Sequence, residues 1–308
     1  MDLGGFFRSR RFYESAWAIK GYRGLRALAE RAGFQVVLKT FYSPIPDVAA
    51  LPPGFFERVA ELPGIDLGLD RQLAFVRDTL AGPMAEFRPP EQPTSDPHRY
   101  AVANPSYGRL DASTLYAMVR ALRPGRIVEL GSGQSSLVTA EAVRANAAEG
   151  HPCRYEAYDP YPGVAGEALP GLAVLHRVAA QDVPFEVIEA LTAGDILFVD
   201  TTHTVKTGSD VNHIVLELLP RLAPGVAVHV HDIFLPFEYP PGFMVDFGLY
   251  WAEQYLLQAF LAMNPGYEVL LANNALAALR PDELAAALPA GFAPGGGSAF
   301  WLRRTDRG

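Results

Sequence analysis

From residue 126 to 231 the chain alternates short apolar runs of strand length with stretches of helical spacing. The runs are RIVEL (126–130), YEAY (155–158), LAVLH (172–176), DILFVD (195–200) and VAVHVH (226–231). Segments 134–147, 184–191 and 209–221 carry helical patterns. An apolar run too short for a helix, followed by an amphipathic stretch and then another such run, implies parallel strands joined by crossover helices. The helices must then cover both faces of the sheet. Two further strands are expected near the C-terminus, in YEVLLANNALAAL and GSAFWLRR. The expectation is an α/β chain with a doubly wound, mostly parallel sheet. DASTLYAMVRAL (111–122) leads into it as a helix, with Asp111 as its expected cap. No internal repeat is visible.

Residues 1–105 follow a different rhythm and are read as an N-terminal helical and loop segment ahead of a domain spanning 106–308. Helices are expected near 12–32 and 66–81. Proline-rich stretches, FYSPIPDVAALPPGF and GPMAEFRPPEQPTSDPH (82–98), are expected as loops, because proline breaks both helix and ladder. Either loop suits a lid or a plain connector. Residues 1–34 hold seven Lys or Arg against three Asp or Glu, with Phe6, Phe7, Phe12, Tyr13 and Trp17 among them. That pattern fits a basic solvated helix packed on the domain and also admits peripheral membrane or partner contact. No apolar run reaches spanning length, and no secretory signal is visible. The single cysteine, Cys153, leaves no internal disulfide and no thiolate metal cluster, so a cytoplasmic setting is expected. A net charge of −8 argues against nucleic acid as partner.

The chemistry concentrates at strand ends. RIVELGSGQSSL is a strand, a glycine-rich turn and a helix start. Gly131 and Gly133, with Ser132 between them, let backbone approach a ligand. A dinucleotide fingerprint would need a third glycine where Ser136 stands. Glu129, two residues before the first glycine, would repel a diphosphate and attract an ammonium or sulfonium. Asp159 ends the next strand, where an acid can accept both ribose hydroxyls. A ligand with ribose and positive charge but no diphosphate describes S-adenosylmethionine. A glycine pair alone would mean only a tight turn. Gln181 and Asp182, after the third strand, fit an adenine edge or a simple helix cap.

A second constellation follows the fourth and fifth strands. DILFVDTTHT places Asp200 at one end with His203 three residues on; VAVHVHDIF places His231 and Asp232 at the next. If those strands are neighbours, Asp200, His231 and Asp232 converge. Oxygen and imidazole donors without thiolate suit Mg²⁺, Mn²⁺, Fe²⁺ or Zn²⁺. The plainer readings are a loop cap for Asp200, a satisfied core histidine for His231 and an arginine partner for Asp232. His229 lies deeper on the same strand face as His231 and is read as structural. His213 sits in a helical pattern.

Together these residues resemble a family. VELGSG with the distal Asp159 is similar to the glycine motif and ribose-binding acid of class I S-adenosylmethionine-dependent methyltransferases, which have a Rossmann-like seven-stranded sheet with an antiparallel final strand. The resemblance covers roughly 106–304, with 267–279 and 298–304 as the antiparallel pair. Within that class, VDTTH followed by HD resembles the metal-dependent O-methyltransferases of small molecules, including bacterial enzymes acting on sugars and the catechol type. The resemblance implies metal ligation by Asp200, His231 and Asp232. It implies His203 as general base, its ordinary pKa near 6.5 suited to neutral pH. It also implies a small-molecule hydroxyl acceptor and a homo-oligomer. Two positions depart from the family: Ser135 replaces the motif's third glycine, and His231 stands where an acid is usual.

Rival readings are an S-adenosylmethionine-binding subunit without chemistry, and a non-methylating iron enzyme on the same fold. Shared location of Asp200, His203 and Asp232 with the cofactor site favours an enzyme over the former; metal content separates the latter. A nicotinamide dehydrogenase ranks last, given Glu129 and Ser136. Phe41, Tyr42, Tyr107 and the FLPFEYPPGF loop are expected to shape the acceptor pocket. Helix YWAEQYLLQAFLAM (250–263) is a candidate subunit contact.

Overall fold

The computed structural model describes residues 15–163 and 169–307. The chain forms two compact units, one of residues 1–55 with 240–250, the other of residues 56–239 with 251–308. The division falls inside the 1–105 segment, since residues 56–105 pack with the sheet.

In the smaller unit, helix Ala16–Arg31 starts where Ser15 caps it, its hydroxyl accepting from the Ala18 N–H. The expected start at residue 12 and the aromatics Phe6, Phe7, Phe12 and Tyr13 lie outside the described residues.

The larger unit contains seven strands: β1 (Arg126–Leu130), β2 (Arg154–Tyr158), β3 (Val174–His176), β4 (Ile196–Val199), β5 (Ala227–Val230), β6 (Tyr267–Ala272) and β7 (Phe300–Arg304). Their order is β3-β2-β1-β4-β5-β7-β6. β1 to β5 pair in parallel, and β7 runs antiparallel to both its neighbours. The sheet is open, with β3 and β6 at its edges. This is the expected Rossmann-like arrangement.

Alternation along the strands divides the core in two. Ile127, Phe198 and Trp301 face a layer containing helices Arg109–Leu122 and Gln134–Ala148. Val128, Leu130, Leu197, Val199, Val228 and Val230 face the opposite layer, which includes Val211, Leu257 and Leu261. Helix Glu253–Leu261, read as a candidate subunit contact, thus turns Leu257 and Leu261 into its own core. Each such buried aliphatic side chain contributes about 1.5–3 kcal/mol, which fixes the strand faces and hence the register.

Several sequence expectations change. Residues 273–279 are helix rather than the second half of a strand. Ala-rich NNALAAL has strong helix propensity, and its apolar residues do not alternate. Within 82–98, residues 82–86 are helical, continuing without a break from Leu69–Phe75 and the π turn Val76–Leu80. Segment 209–221 is an α turn (Asp210–His213), a π turn (Ile214–Leu218) and a 3₁₀ turn (Leu219–Arg221). Asp111 is not the N-cap: its helix begins at Arg109 with Gly108 at the N-cap, and Asp111 is buried within the first turn.

Candidate active site at the carboxyl edge of the sheet

Register decides what meets at this edge. Leu130 pairs with Tyr158 and Val199, and Val199 with Val230. The next residue on each strand is therefore Gly131, Asp159, Asp200 and His231, which stand side by side. Backbone hydrogen bonds of 2.9 Å lock the row: Gly131 N–H to Tyr158 C=O, Asp200 N–H to Leu130 C=O, His231 N–H to Val199 C=O. From β1 the chain turns to β2 and β3 on one side and resumes with β4 and β5 on the other. An open sheet gathers ligands outside such a switch point.

A cleft of about 460 Å³ lies there, lined by Gly131, Ser132, Asp159, Gln181, Asp200 and Lys206 among others. Gly131 is obligatory for two reasons. Its φ is +88°, and a Cβ at this position would come within 1.8 Å of the Asp200 carbonyl oxygen. Gly133 differs: its φ is 179°, and a Cβ would meet no protein atom within 4 Å. Ser132 donates from its N–H and hydroxyl to Asp159 Oδ2 at 2.9 and 2.7 Å, and the Tyr161 N–H donates to Oδ1 at 2.7 Å. The Asp159 carboxylate is thereby aimed while keeping lone pairs for a ligand.

Glu129 is placed beneath the turn rather than on the cleft wall. It is fully buried and accepts from Ser135 Oγ at 2.7 Å, Ser136 Oγ at 2.8 Å and the Tyr155 hydroxyl. Burial pushes its carboxyl up to about 7 despite these donors. Ser135 faces Glu129, so both serve the turn from below. Gln181 lines the cleft, whereas Asp182 is exposed beside it and is not among the lining residues.

Asp200, on the cleft wall, meets two imidazoles behind it, for His203, His231 and Asp232 are not themselves lining residues. His203 Nε2 lies 3.3 Å from Asp200 Oδ1 and 3.7 Å from Asp232 Oδ2. His231 Nδ1 lies 3.6 Å from both Asp200 Oδ2 and Asp232 Oδ1. The four residues converge as the neighbouring strand ends require. Asp232 accepts from Ser298 Oγ at 2.8 Å rather than pairing with arginine. The cap of the loop after β4 is Asp210, taking the Thr202 N–H and hydroxyl at 3.0 and 2.7 Å, which leaves Asp200 free of that duty.

Each imidazole is held on its other nitrogen by a buried carboxylate. His203 Nδ1 is 2.8 Å from Glu253 Oε2. His231 Nε2 is 3.4 Å from Asp111 Oδ2, and Asp111 is itself fixed by the Asn273 amide and the N–H groups of Ser298 and Ala299. Burial disfavours charge on both histidines, but the carboxylates prevail. Asp200 and Asp111 hold His231 at about 9, and Asp200 and Glu253 hold His203 well above the usual imidazole range. The ordinary pKa near 6.5 expected for His203 is thus displaced upward. Reciprocally, Asp200 is pushed up by burial but drawn down to about 2 by His231 and His203. Among the described residues, no group of three or more His, Cys, Asp or Glu side chains meets the requirements for holding a metal ion.

His229 belongs to the core. It is fully buried, stacked on Phe198 at 4.1 Å and edge-on to Trp301 at 4.7 Å, its neighbours in register on β4 and β7. Burial pushes its pKa down to about 3, so the ring is neutral. Tyr107, expected in the acceptor pocket, is buried and stacks on His231 at 4.7 Å. Glu253 and Asp111 are the site residues that sequence reasoning missed. Both sit on helices far from the strand-end motifs, and neither has a local signature.

Residues 128–233, from β1 through the turn after β5, match the family model of a methyltransferase domain. The match supports a methyltransferase. It spans every strand-end residue of the row and implies S-adenosylmethionine as methyl donor. No curated protein matches the chain. Among solved structures, a "putative methyltransferase" from Thermobifida fusca YX aligns over 82% of this chain and 98% of its own, at 17% identity and a TM-score of 0.33. That score is too low to carry a conclusion. Among the described residues no helix is long and apolar enough to cross a membrane.

Proposed function

We propose that the protein is an S-adenosylmethionine-dependent methyltransferase acting on a hydroxyl of a small molecule of the sugar, glycoside or phenol class, with His203 as general base. One observation carries the reading. The cleft at the switch point runs from the glycine turn and Asp159 to Asp200, and Asp200 is in direct contact with His203.

The cleft residues fit the cofactor. Gly131 and Ser132 bring the turn to the cleft wall, the Asp159 carboxylate accepts ribose hydroxyls, and Gln181 offers an amide to a base edge. When bound, the cofactor supplies a methyl group on a positively charged sulfur. Asp200 remains ionised at neutral pH and places a carboxylate on the cleft wall. Opposite charge there favours a cationic ligand and orients it. His203 Nε2, beside Asp200, takes the proton of the acceptor hydroxyl. Its raised pKa makes the proton-accepting form more abundant above neutral pH, so turnover rises on the alkaline side.

The residues expected to hold a metal do not fit one as placed. Among the described residues these side chains form no group that could hold an ion, and both nitrogens of His231 face carboxylates. No step of this mechanism is therefore assigned to a metal.

Calorimetric titration with S-adenosylmethionine tests the cofactor site: binding to the wild type and at least about tenfold weaker binding to Asp159→Ala are expected, from loss of charge-assisted hydrogen bonds. Absence of binding to the wild type would refute the reading.

A further inference from the structure

We infer that Glu253 is the positioning residue for His203: it fixes the imidazole tautomer so that the lone pair of the neutral ring lies on Nε2, the nitrogen beside Asp200. The inference rests on the reading of His203 as base.

The local geometry converges on this role. Helix Glu253–Leu261 begins at the Glu253 backbone, and its first N–H groups, from Ala252 and Glu253, both donate to the His203 carbonyl at 3.0 and 3.2 Å. His203 has φ +55°, a left-handed conformation that a residue with a Cβ adopts only when its surroundings impose it. The two N–H groups impose it here. The Trp251 ring packs on the imidazole face at 4.3 Å. Glu253 Oε2 then meets Nδ1 at 2.8 Å, an ordinary hydrogen-bond length, while the contacts of Nε2 with Asp200 and Asp232 are longer, at 3.3 and 3.7 Å. Backbone, ring face and Nδ1 are all engaged by residues 251–253. Only Nε2 is left, toward Asp200 on the cleft wall and Asp232.

The arrangement has a chemical consequence. A carboxylate acceptor at Nδ1 keeps the proton on that nitrogen, so when the ring is neutral the lone pair lies on Nε2. Without it the ring can adopt the other tautomer, or turn, and present an N–H where a base is needed. An orienting carboxylate does not itself take up the proton; it holds the ring and stabilises the imidazolium that forms. Glu253 is suited to that task because it is fully buried, with its Oε1 making no hydrogen bond among the described residues. No water-exposed partner competes for it.

The test uses the full chain labelled with ¹⁵N at histidine. In the wild type, His203, assigned by the signal lost in His203→Ala, is expected to show a hydrogen-bonded Nδ1–H throughout the range in which Nε2 titrates. In Glu253→Gln that signal is expected to lose its downfield position. Turnover is followed with methyl-labelled S-adenosylmethionine and a panel of methyl glycosides and catechol-type diols. Glu253→Gln is expected to lower kcat at least about tenfold, as loss of an orienting partner does. KM and cofactor affinity should stay within about twofold, and the alkaline rise of the rate should move to lower pH. A wild-type His203 whose neutral ring carries its proton on Nε2 and none on Nδ1 would overturn the inference, and so would a Glu253→Gln enzyme with unchanged kcat and pH profile. If Glu253→Gln does not fold, the wild-type spectrum still decides. If no acceptor is methylated by the wild type, the methyltransferase reading fails, while the Nδ1–H signal separately settles what Glu253 does.

Discussion

Replacing Gly131 by alanine should damage the fold itself, whereas the same change at Gly133 should damage only binding. At Gly131 the new Cβ would stand 1.8 Å from the Asp200 carbonyl oxygen, at φ +88°. The left-handed conformation alone costs about 1–2 kcal/mol for a residue with a Cβ. Relieving so close an approach requires β1 and β4 to part at their ends, yet the Asp200 N–H is bonded to Leu130 C=O at 2.9 Å one residue away. Overpacking of this kind adds about 1–3 kcal/mol, giving about 2–5 kcal/mol in all. Gly133→Ala meets no protein atom within 4 Å, and stability should stay within about 0.5 kcal/mol of wild type. Urea unfolding followed by circular dichroism reads the first quantity, and calorimetric titration with S-adenosylmethionine the second. A Gly131→Ala protein as stable as wild type would refute the argument for close strand-end packing. A Gly133→Ala protein that binds the cofactor normally would remove Gly133 from the binding site.

Other expectations follow from the buried charges. Glu129 has its pKa raised from 4.5 to about 7 in the folded protein, so its contribution to stability is complete below pH 4.5 and lost as pH rises through 7. Denaturant unfolding at several pH values should show the wild type losing about 3 kcal/mol relative to Glu129→Gln over that window, and parallel curves would contradict it. His203→Ala should bind S-adenosylmethionine as wild type does but lose turnover about 100-fold or more in the labelled-methyl assay; normal turnover sinks the base assignment. Chelator treatment should leave the methylation rate unchanged. A rate lost to chelation and restored by one divalent ion would return Asp200, His231 and Asp232 to the role expected from the family resemblance.

The sheet was legible because each strand is announced by a short apolar run and ends in a residue with distinctive chemistry. Gly131, Asp159, Asp200 and His231 could be named in advance for that reason, and register brings them into one row. Glu129, expected beside the cofactor, stands beneath the turn and off the cleft wall, because strand alternation puts it on the face of Ile127. The helix at 273–279 was hidden in an apolar run that follows β6 without a break. Glu253 and Asp111 were illegible in a stronger sense. Each reaches its histidine across 50 and 120 residues of chain, and only tertiary packing brings the pairs together.

His229 has a use at the bench. Of the seven histidines, it alone has its ring pushed down to about 3 by burial between aromatic neighbours, with no carboxylate against either nitrogen. Across the range from pH 5 to 9 its ring should therefore stay neutral. Because it stacks at 5.8 Å on His231, its chemical shift will nonetheless register any change in that neighbour's charge. The core thus carries a fixed optical bench next to the site: a non-titrating reporter whose displacement marks the moment the carboxylate and imidazole cluster changes state.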